Sequence, residues 1–493
     1  MHDINMRDNE LLAVHESHTP STILKPGRNC WRIQRARRAA FFIDGCDYFS
    51  ALRAALMRAQ HSVLIAGWDF DHQIRLDPIN APDESLSALI ARLVQQRPSL
   101  HVRILIWGFS TFYGANHQPA LLLSQPWYSG LPRVEFEFDN NYPLGSSHHE
   151  KVVCIDDAIA FVGGIDLTAE RWDTQAHDMM SPRRYEYDGE PFQPVHDLQM
   201  AVDGEVARSV SLLVRERWRQ ATGRQLKPVL ALNDPWPPGV PPHLFDVDIA
   251  IARTRPPYGQ DPGVREIEAL NIDALRAARK SIYLETQYFT AQSIGDVLAE
   301  RLSQPDGPEV IIVVTKESDG LVEQFAMGSN RERLLRRLKM ADRFRRLRAY
   351  CAVVPIPGGG EQPVKIHSKL AIVDDRFVRI GSSNFNNRSM GADTECDLAI
   401  EAQDDTTRRA IASLRNRLLA EHIDTSEDEL VEAIARSGSI IAAIEALNVR
   451  ARRLCPCHID PAKGSDEPIS GTAILDPIEP INLTYLRQVL SID

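Results

Sequence analysis

The sequence predicts an α/β protein made of two pseudo-symmetric repeats, each a mixed β-sheet flanked by helices, packed around one central active site. The first observation is a repeated motif, H-x-K-x-x-x-x-D, at His149–Asp156 and again at His367–Asp374. The second is a helical stretch and an apolar strand that precede each motif at nearly the same distance. Helices that alternate with strands in each half favour a mainly parallel or mixed sheet with helices on its faces.

The predicted elements follow the same order in both halves. Helical character at Ala55–Ser62 leads into a strand at Val63–Phe70, and the second half repeats this at Ala274–Ser281 and Ile282–Phe289. A further apolar strand follows at Val102–Trp107 and at Val310–Thr315. Ala55 and Ala274 are 219 positions apart, and the two motif histidines are 218 positions apart. Because two independent offsets agree, we interpret the halves as copies of one unit.

Prolines divide the chain between residues 228 and 245, which we interpret as a Pro-rich linker. We therefore predict an N-terminal extension at 1–40, a first repeat at 41–227 and a second repeat at 246–425. Helical periodicity at 404–420 and 427–447, followed by prolines after Arg452, predicts a C-terminal helix and irregular tail over 426–493.

The composition is typical of a globular protein, with 43% hydrophobic and 25% charged residues among 493. The net charge of −11 provides no general basic field, so we expect no nucleic-acid partner. Met1–Glu16 lacks the apolar core of a secretory signal, and no apolar run reaches the length of a membrane span. Seven scattered cysteines fit reduced thiols, and we expect a cytoplasmic monomer. The cluster Cys455–His458 lacks a second pair of ligands, which favours incidental thiols over a metal site.

The motif places a histidine two residues before a lysine on an extended strand, so both side chains lie on one face. An imidazole can act as nucleophile or acid towards an anionic ester, while an ammonium holds the negative charge. Two copies predict two half-sites that meet over one substrate. The motif aspartates Asp156 and Asp374 lie at the far ends of their strands, which predicts a role in stabilising turns and none in the chemistry.

The strand that follows each motif ends in small residues, which allow the backbone to approach a ligand closely. These residues are Gly163 and Gly164 in the first half and Gly381 and Ser382 in the second. Asn384, and Asp166 at the equivalent position, are expected to add a polar group beside the same site. Each histidine also needs a carboxylate to fix its tautomer. Asp197 and Glu395, on the strands after the motifs, are the candidates, with a solvated strand charge as the alternative for each.

These residues resemble the phospholipase D superfamily, and its phosphatidylcholine-cleaving branch in particular. The resemblance covers residues 41–422. Beyond the two motifs, it includes 163–167, Arg171–Asp173, 196–197, 282–289 and 381–390. The chain departs from the branch at Glu285-Thr286-Gln287, where Glu-Asn-Gln is usual.

The resemblance implies a phosphodiesterase that cleaves a glycerophospholipid to phosphatidic acid and a head-group alcohol. It implies that His149 is the nucleophile, which forms a phosphohistidine, and that His367 is the acid and base; the residues alone leave that order open. Lys151, Lys369, Asn384 and Asp166 would contact the phosphate. A mechanism that requires one neutral and one charged histidine predicts a bell-shaped pH–rate profile. A covalent intermediate predicts transphosphatidylation, and we expect neither a metal nor a cofactor.

Three alternatives remain open at this point: a cardiolipin-synthase-like phosphatidyltransferase, a nuclease on the same scaffold, and a non-catalytic lipid-binding protein. The net charge disfavours the nuclease, and two intact histidine–lysine pairs disfavour a protein without catalysis. The basic segment Arg331–Arg348 gives two equal alternatives. It could contact the inner face of a membrane as a peripheral site, or it could be a solvated helix whose leucines pack inward.

Overall fold

The computed structural model describes residues 22–108, 126–186, 189–230, 233–316, 327–459, 472 and 475–480. Its strands are β1 Arg32–Ile43, β2 Ser62–Gly67, β3 His101–Trp107, β4 Val134–Asp139, β5 Lys151–Ile155, β6 Ile159–Gly163, β7 Val195–His196, β8 Leu198–Asp203, β9 Leu244–Arg255, β10 Val264–Arg265, β11 Ser281–Thr286, β12 Glu309–Val314, β13 Leu347–Pro355, β14 Glu361–Pro363, β15 Lys365–Ile366, β16 Leu370–Val373, β17 Phe377–Gly381, β18 Glu395–Glu401 and β19 Arg453–Pro456. Its helices are α1 Asp44–Leu56, α2 Leu86–Gln96, α3 Gly204–Thr222, α4 Glu266–Ala277, α5 Gln292–Ser303, α6 Ser329–Ala341, α7 Asn387–Gly391, α8 Asp405–His422, α9 Glu427–Ser437 and α10 Ile440–Leu447.

The main sheet is mixed and repeats its strand order about a central antiparallel pair, β1 and β9. From β1 outward the first half runs β8, β6, β5, β2, β3, β4. From β9 outward the second half runs β18, β17, β16, β11, β12, β13. In both halves the three outer strands are parallel to one another and the inner ones are antiparallel. The predicted fold class of two mixed-sheet repeats flanked by helices is confirmed.

The helix before each first strand ends earlier than the sequence predicts. We expected helical structure to continue to Ser62 and Ser281, but α1 ends at Leu56 and α4 at Ala277. The backbone N–H groups of the next residues donate to a distant carboxylate: Gln60, His61 and Ser62 to Asp156, and Arg279, Lys280 and Ser281 to Asp374. A carboxylate that accepts three backbone donors replaces the helical bonds, and the chain turns into the strand.

The C-terminal region also differs from its prediction. The helix expected at 427–447 is interrupted at Gly438, whose φ of +68° ends α9, and Ser439 then caps α10. The tail expected to be irregular after Arg452 forms β19, which pairs with β13. In the linker, residues 233–243 contain no helix or strand, and β9 begins at Leu244. Strand β1 begins at Arg32, inside the predicted extension. The division into domains otherwise stays a prediction.

The basic segment Arg331–Arg348 is not one helix. It consists of α6, a turn and the start of β13. Leucines 334, 335 and 338 are buried, as the packed-helix alternative requires, and Arg331 and Arg333 are buried as well. Membrane contact by this segment stays a prediction. Among the described helices, none has the length and apolar character needed to cross a bilayer. Met1–Glu16 lies outside the described residues.

Candidate active site

Each motif is tied by its backbone to a segment of the other repeat. The N–H of His149 donates to the carbonyl of Thr394 (3.0 Å), and the N–H of His367 donates to the carbonyl of His196 (2.8 Å). The second contact extends the short parallel pair β7–β15, and a parallel bridge between His148 and Thr394 does the same for the first. The two motifs therefore enter one site, each held by the opposite half.

The orienting acids are exchanged between the repeats. His149 Nδ1 lies 3.0 Å from Glu395 Oε2, and His367 Nδ1 lies 2.6 Å from Asp197 Oδ2. Both carboxylates are buried, and their contacts exclude the solvated-strand alternative for each. A carboxylate on Nδ1 fixes the ring and leaves Nε2 for chemistry. His149 is the more accessible imidazole, since its side chain is 17% exposed and that of His367 is 5% exposed.

The two motif lysines adopt the same arrangement. Lys151 Nζ donates to the carbonyl of His149 at 3.0 Å, and Lys369 Nζ donates to the carbonyl of His367. Each ammonium is thereby fixed to the backbone of its own histidine, and both lysines are buried. An ammonium held in a buried site exerts a stronger electrostatic effect than one in water.

Asp166 does not have the position that we predicted for it. Its Oδ2 pairs with Lys151 Nζ at 2.9 Å, and its Oδ1 accepts from the N–H groups of Trp68 and Asp69. A carboxylate in these contacts would repel a phosphate, so its predicted phosphate contact is corrected to positioning of Lys151. Asn384 is buried beside the second motif, and its Oδ1 lies 3.4 Å from the hydroxyl of Thr286.

The small residues after the motifs lie in close contact with side chains of the neighbouring strands, and two of them contact the acids of the histidines. A Cβ added at Gly164 would lie 2.1 Å from Asp197 Oδ1, and one at Gly163 would lie 2.3 Å from Gln199 Oε1. In the second half, a Cβ at Gly381 would lie 2.0 Å from Asp397 Oδ1. Ser382, at the position equivalent to Gly164, donates its hydroxyl to Glu395 Oε2 at 2.5 Å. We expected close approach to a ligand. Gly164 and Ser382 instead contact the acids of the two histidines, while Gly163 and Gly381 lie against Gln199 and Asp397.

The motif aspartates lie in hairpin turns away from the histidines. Asp156 and Asp157 have φ of +54° and +52°, and Asp374 and Asp375 have φ of +53° and +52°. Two consecutive positive φ values are typical of the type I′ turns that connect twisted strands. The side chains of Asp156 and Asp374 accept the helix-to-strand N–H groups described above.

Burial controls the protonation of the site. Burial and then the charges of Lys151 and Lys369 lower the pKa of His149 well below its usual value. Burial and then Lys369 and Arg171 do the same for the pKa of His367. Both shifts favour the neutral imidazole in the protein without substrate, and the pairing of one neutral with one charged histidine stays a prediction. The negative charge of a bound phosphodiester would favour a charged imidazole again.

The lysine and the acids respond to the same burial. Burial lowers the pKa of Lys369 to about 7, although the charge of Asp197 opposes this. Burial raises the pKa of Asp197 to about 7 against the charge of Lys369, and it raises the pKa of Glu395 well above its usual value. Burial thus disfavours the charged forms of Lys369 and of both acids, and a bound phosphodiester would favour the charged lysine.

Sequence reasoning assigned no role to some residues around this site. Arg171 belongs to the Arg171–Asp173 segment of the resemblance, and its charge lowers the pKa of His367. Its Nε and Nη1 are buried without a hydrogen-bond partner among the described residues. A buried set behind the site was also missed: Asp44, His177, His196, Glu285, Glu421 and His422. In the sequence, the position of His196 next to Asp197 was the feature that could have indicated this buried set.

Comparison with known proteins agrees with this geometry. Residues 137–235 match the family model described as Phospholipase D, and residues 271–417 match the one described as Cardiolipin synthase, PLD-like domain. The two matches contain the two motifs. The chain belongs to the phospholipase D superfamily.

Individual superfamily relatives are distant. Phospholipase D A of Dictyostelium discoideum is 25% identical over 458 residues, which cover 78% of this chain and 35% of that protein. Phospholipase D alpha 1 of Zea mays is 23% identical over 530 residues, which cover 78% of this chain and 65% of that protein. The chain thus spans between about a third and two thirds of the length of these relatives. The crystal structure of phosphatidylserine synthase from Haemophilus influenzae Rd KW20 shares the fold, with a TM-score of 0.54 at 13% identity over 85% of this chain and 97% of that one.

Proposed function

We propose that the protein is a phospholipase D-type phosphodiesterase that hydrolyses a glycerophospholipid to phosphatidic acid and the head-group alcohol. The observation that carries the proposal is the pair of histidines, each with its acid supplied by the other repeat and its lysine on its own backbone. The names of the curated relatives support a phospholipid as the substrate.

The proposed reaction has two steps. Neutral His149 attacks phosphorus through Nε2, a P–N bond forms, and the P–O bond to the head group breaks as His367 protonates the departing oxygen. His367 then takes a proton from water, whose oxygen attacks phosphorus and releases phosphatidic acid and neutral His149. Glu395 and Asp197 hold the two rings in position, and each stabilises the charge that its histidine acquires.

Cations would stabilise the phosphoryl oxygens as their charge reorganises. Lys151 and Lys369 are the two motif cations, and Arg171 adds a third near His367. Preorganised hydrogen-bond donors aimed at developing negative charge contribute about 3 to 4 kcal/mol each. Asn384 would add a neutral donor on the second motif's side.

A phosphatidyltransferase is a second candidate, since the family model that matches residues 271–417 is described as Cardiolipin synthase, PLD-like domain. It would share the phosphohistidine and differ only in the acceptor, an alcohol in place of water. Transphosphatidylation by the proposed hydrolase is the same step with a small added alcohol. We retain a cytoplasmic location with peripheral membrane contact as part of the proposal, because the substrate resides in a bilayer.

The decisive experiment incubates purified protein with mixed phospholipid vesicles and ethanol. We expect phosphatidic acid and phosphatidylethanol from the wild type, and loss of both in His149→Ala and His367→Ala. His61→Ala, an exposed histidine outside the site, is the matched control and should keep full activity. Product that needs a glycerolipid alcohol acceptor would select the phosphatidyltransferase. Cleavage of DNA or bis-p-nitrophenyl phosphate without lipid turnover would select the nuclease.

The nucleophile can be identified directly. His367→Asn lacks both the acid of the first step and the base of the second. A phospholipid analogue whose leaving group is p-nitrophenol needs no acid, so with this substrate a phosphatidyl group should accumulate on His149. Alkaline quenching preserves a phosphohistidine, and peptide mass spectrometry would locate it. A label on residue 367 in His149→Asn would reverse the assignment.

A further inference from the structure

Behind the candidate active site lies a buried group of histidines and carboxylates from both repeats. Asp44 begins α1, His196 ends β7, His177 lies in the loop between β6 and β7, and Glu421 is near the end of α8. All four side chains are buried. The backbone of Asp44 is joined to Asp197, since Asp44 N donates to the Asp197 carbonyl at 2.8 Å and Asp197 N donates to Asp44 Oδ1 at 3.2 Å.

The donor atoms of this group surround a common point. His177 Nε2 lies 3.1 Å from Glu421 Oε1 and 3.7 Å from Asp44 Oδ2. His196 Nδ1 lies 2.9 Å from the same Glu421 oxygen and 3.0 Å from Asp44 Oδ1. One donor atom from each residue can be chosen so that all lie within 4.8 Å of one another. The ligands of a tetrahedral zinc ion are separated by about 3.3 Å, given zinc–ligand bonds of about 2.0 Å.

The orientation of the imidazoles is that of metal ligands. His177 directs Nε2 at the common point and its other nitrogen at Asp173 Oδ2, 3.0 Å away. His196 directs Nδ1 at the point and its other nitrogen at Glu285 Oε2, also 3.0 Å away. Histidines that bind a metal regularly hydrogen-bond their second nitrogen to a carboxylate in this way.

Two buried atoms that face the common point have no hydrogen-bond partner among the described residues. His196 Nδ1 lies 3.0 Å from Asp44 Oδ1 and 2.9 Å from Glu421 Oε1, but it forms a well-aligned hydrogen bond with neither. Asp44 Oδ2 is likewise unpartnered. Buried polar atoms without partners are costly, and a cation at the centre would satisfy both.

We propose that Asp44, His177, His196 and Glu421 bind one divalent transition-metal ion. Two imidazole nitrogens and two carboxylate oxygens, one donor atom from each residue and all within 4.8 Å of one another, favour Zn²⁺. The ion stabilises the fold, since protein donors complete its coordination and leave no position for substrate. It joins α1, the His177 loop, β7 and α8 directly behind Asp197, and it takes no part in the lipid chemistry.

The alternative to a bound metal ion is that His177 and His196 are both protonated. The charges of Asp44, Asp173 and Glu421 raise the pKa of His177 to about 10, although burial opposes the charged imidazole. A protonated pair would leave no room for a cation. Measurement of bound metal therefore distinguishes the two states.

The test uses the full chain, expressed with added Zn²⁺, desalted and analysed by inductively coupled plasma mass spectrometry. We expect about one zinc ion per chain in the wild type. His177→Ala and Glu421→Gln should each lower that content at least about tenfold. His422→Ala is the comparison variant, because His422 contacts Glu285 and belongs to a second buried group, His196, Glu285 and His422, that shares His196 with the proposed site. Zinc retained in His422→Ala supports the proposed ligands, whereas zinc lost there but kept in Glu421→Gln would assign the ion to the second group. Cys457→Ser controls for binding by the C-terminal thiols.

Three outcomes would overturn the site: wild-type protein that holds no zinc after incubation with the metal, zinc retained by His177→Ala, or zinc lost in Cys457→Ser. If the alanine variant does not fold, the absorption spectrum of Co²⁺-substituted wild type shows whether the ligands are nitrogen and oxygen atoms in a tetrahedral site. Intense d–d bands without a thiolate charge-transfer band indicate a tetrahedral N/O site. Their absence contradicts it. None of these measurements depends on lipid turnover.

Discussion

At the scale of the residue, the chemistry of this protein depends on burial more than on residue type. Lysine is ordinarily charged throughout the physiological range, yet burial lowers the pKa of Lys369 to about 7. His149 is likewise kept neutral below its ordinary titration range. Activity therefore falls at low pH, where the imidazole becomes charged, and at high pH, where the lysine loses its charge.

We predict a pH–rate profile displaced towards acid. Lys369 contributes only when charged and His367 acts as an acid only when charged, so kcat/KM should fall with rising pH, at the latest through about 7. The acid side should hold until pH is well below 6.5, the ordinary pKa of histidine, since the pKa of His149 is lowered. The basic limb of kcat should lie at higher pH than that of kcat/KM, because bound phosphate stabilises the ammonium. A kcat/KM that is constant from pH 6 to 9 would contradict this assignment.

A second prediction concerns Gly164. A methyl group there would displace the carboxylate of Asp197, and His367 would lose its orientation. We expect Gly164→Ala to lower kcat about a hundredfold, the cost of a misplacement of about 1 Å. Gly163→Ala is the matched control, because its Cβ meets Gln199 and the Leu198 carbonyl instead of the acid. The control should lower the melting temperature and leave kcat within a few fold. Equal loss of kcat in both variants would show that strand packing, and not Asp197, is responsible.

At the scale of the element, the motif's aspartates act on helices and strands. Each accepts three backbone N–H groups where a helix gives way to the first strand of its repeat. Asp156 also accepts from Asn233 Nδ2 at 2.9 Å, so it fixes part of the linker. One side chain thus stabilises a hairpin turn and a helix-to-strand connection about 95 positions away in sequence.

We predict that Asp156→Ala lowers the free energy of unfolding by about 1 to 3 kcal/mol, since an unpaired buried donor such as the N–H of Ser62 costs that much. Asp374→Ala should cost less, because two of its three donors are exposed to water. Asn in place of Asp156 retains an acceptor oxygen and tolerates positive φ, so it should cost less. Urea denaturation measures the effect. Activity per folded molecule should stay within twofold of wild type. A large loss of kcat at unchanged stability would return the aspartates to the catalytic machinery.

At the scale of the whole molecule, the site belongs to neither repeat alone. Each histidine depends on an acid from the other half, and β1 of the first repeat pairs with β9 of the second from Arg32–Ile251 to Ala39–Leu244. The linker is not what joins the halves. Its residue Gly239 has no heavy atom near the position of a Cβ, which indicates an open loop.

We therefore predict that a protease site inserted after Gly239 can be cut without loss of activity. The fragments should elute together in size-exclusion chromatography, because the β1–β9 pair and the shared core hold them. The uncut insertion variant is the control. Separation of the fragments under native conditions would show that the linker is needed for association.

The sequence by itself determined the duplication, the mixed-sheet fold class and the two histidine–lysine pairs, and it identified Asp197 and Glu395 as candidates for the acids. These follow from periodicity and motif spacing, which are local properties of the chain. The ends of α1 and α4, the role of Asp166, and the exchange of the acids could not be predicted. Each depends on a contact between residues far apart in sequence, and only the tertiary structure fixes such contacts. The same holds for pKa values, because burial and neighbouring charges exist only once the repeats have packed together.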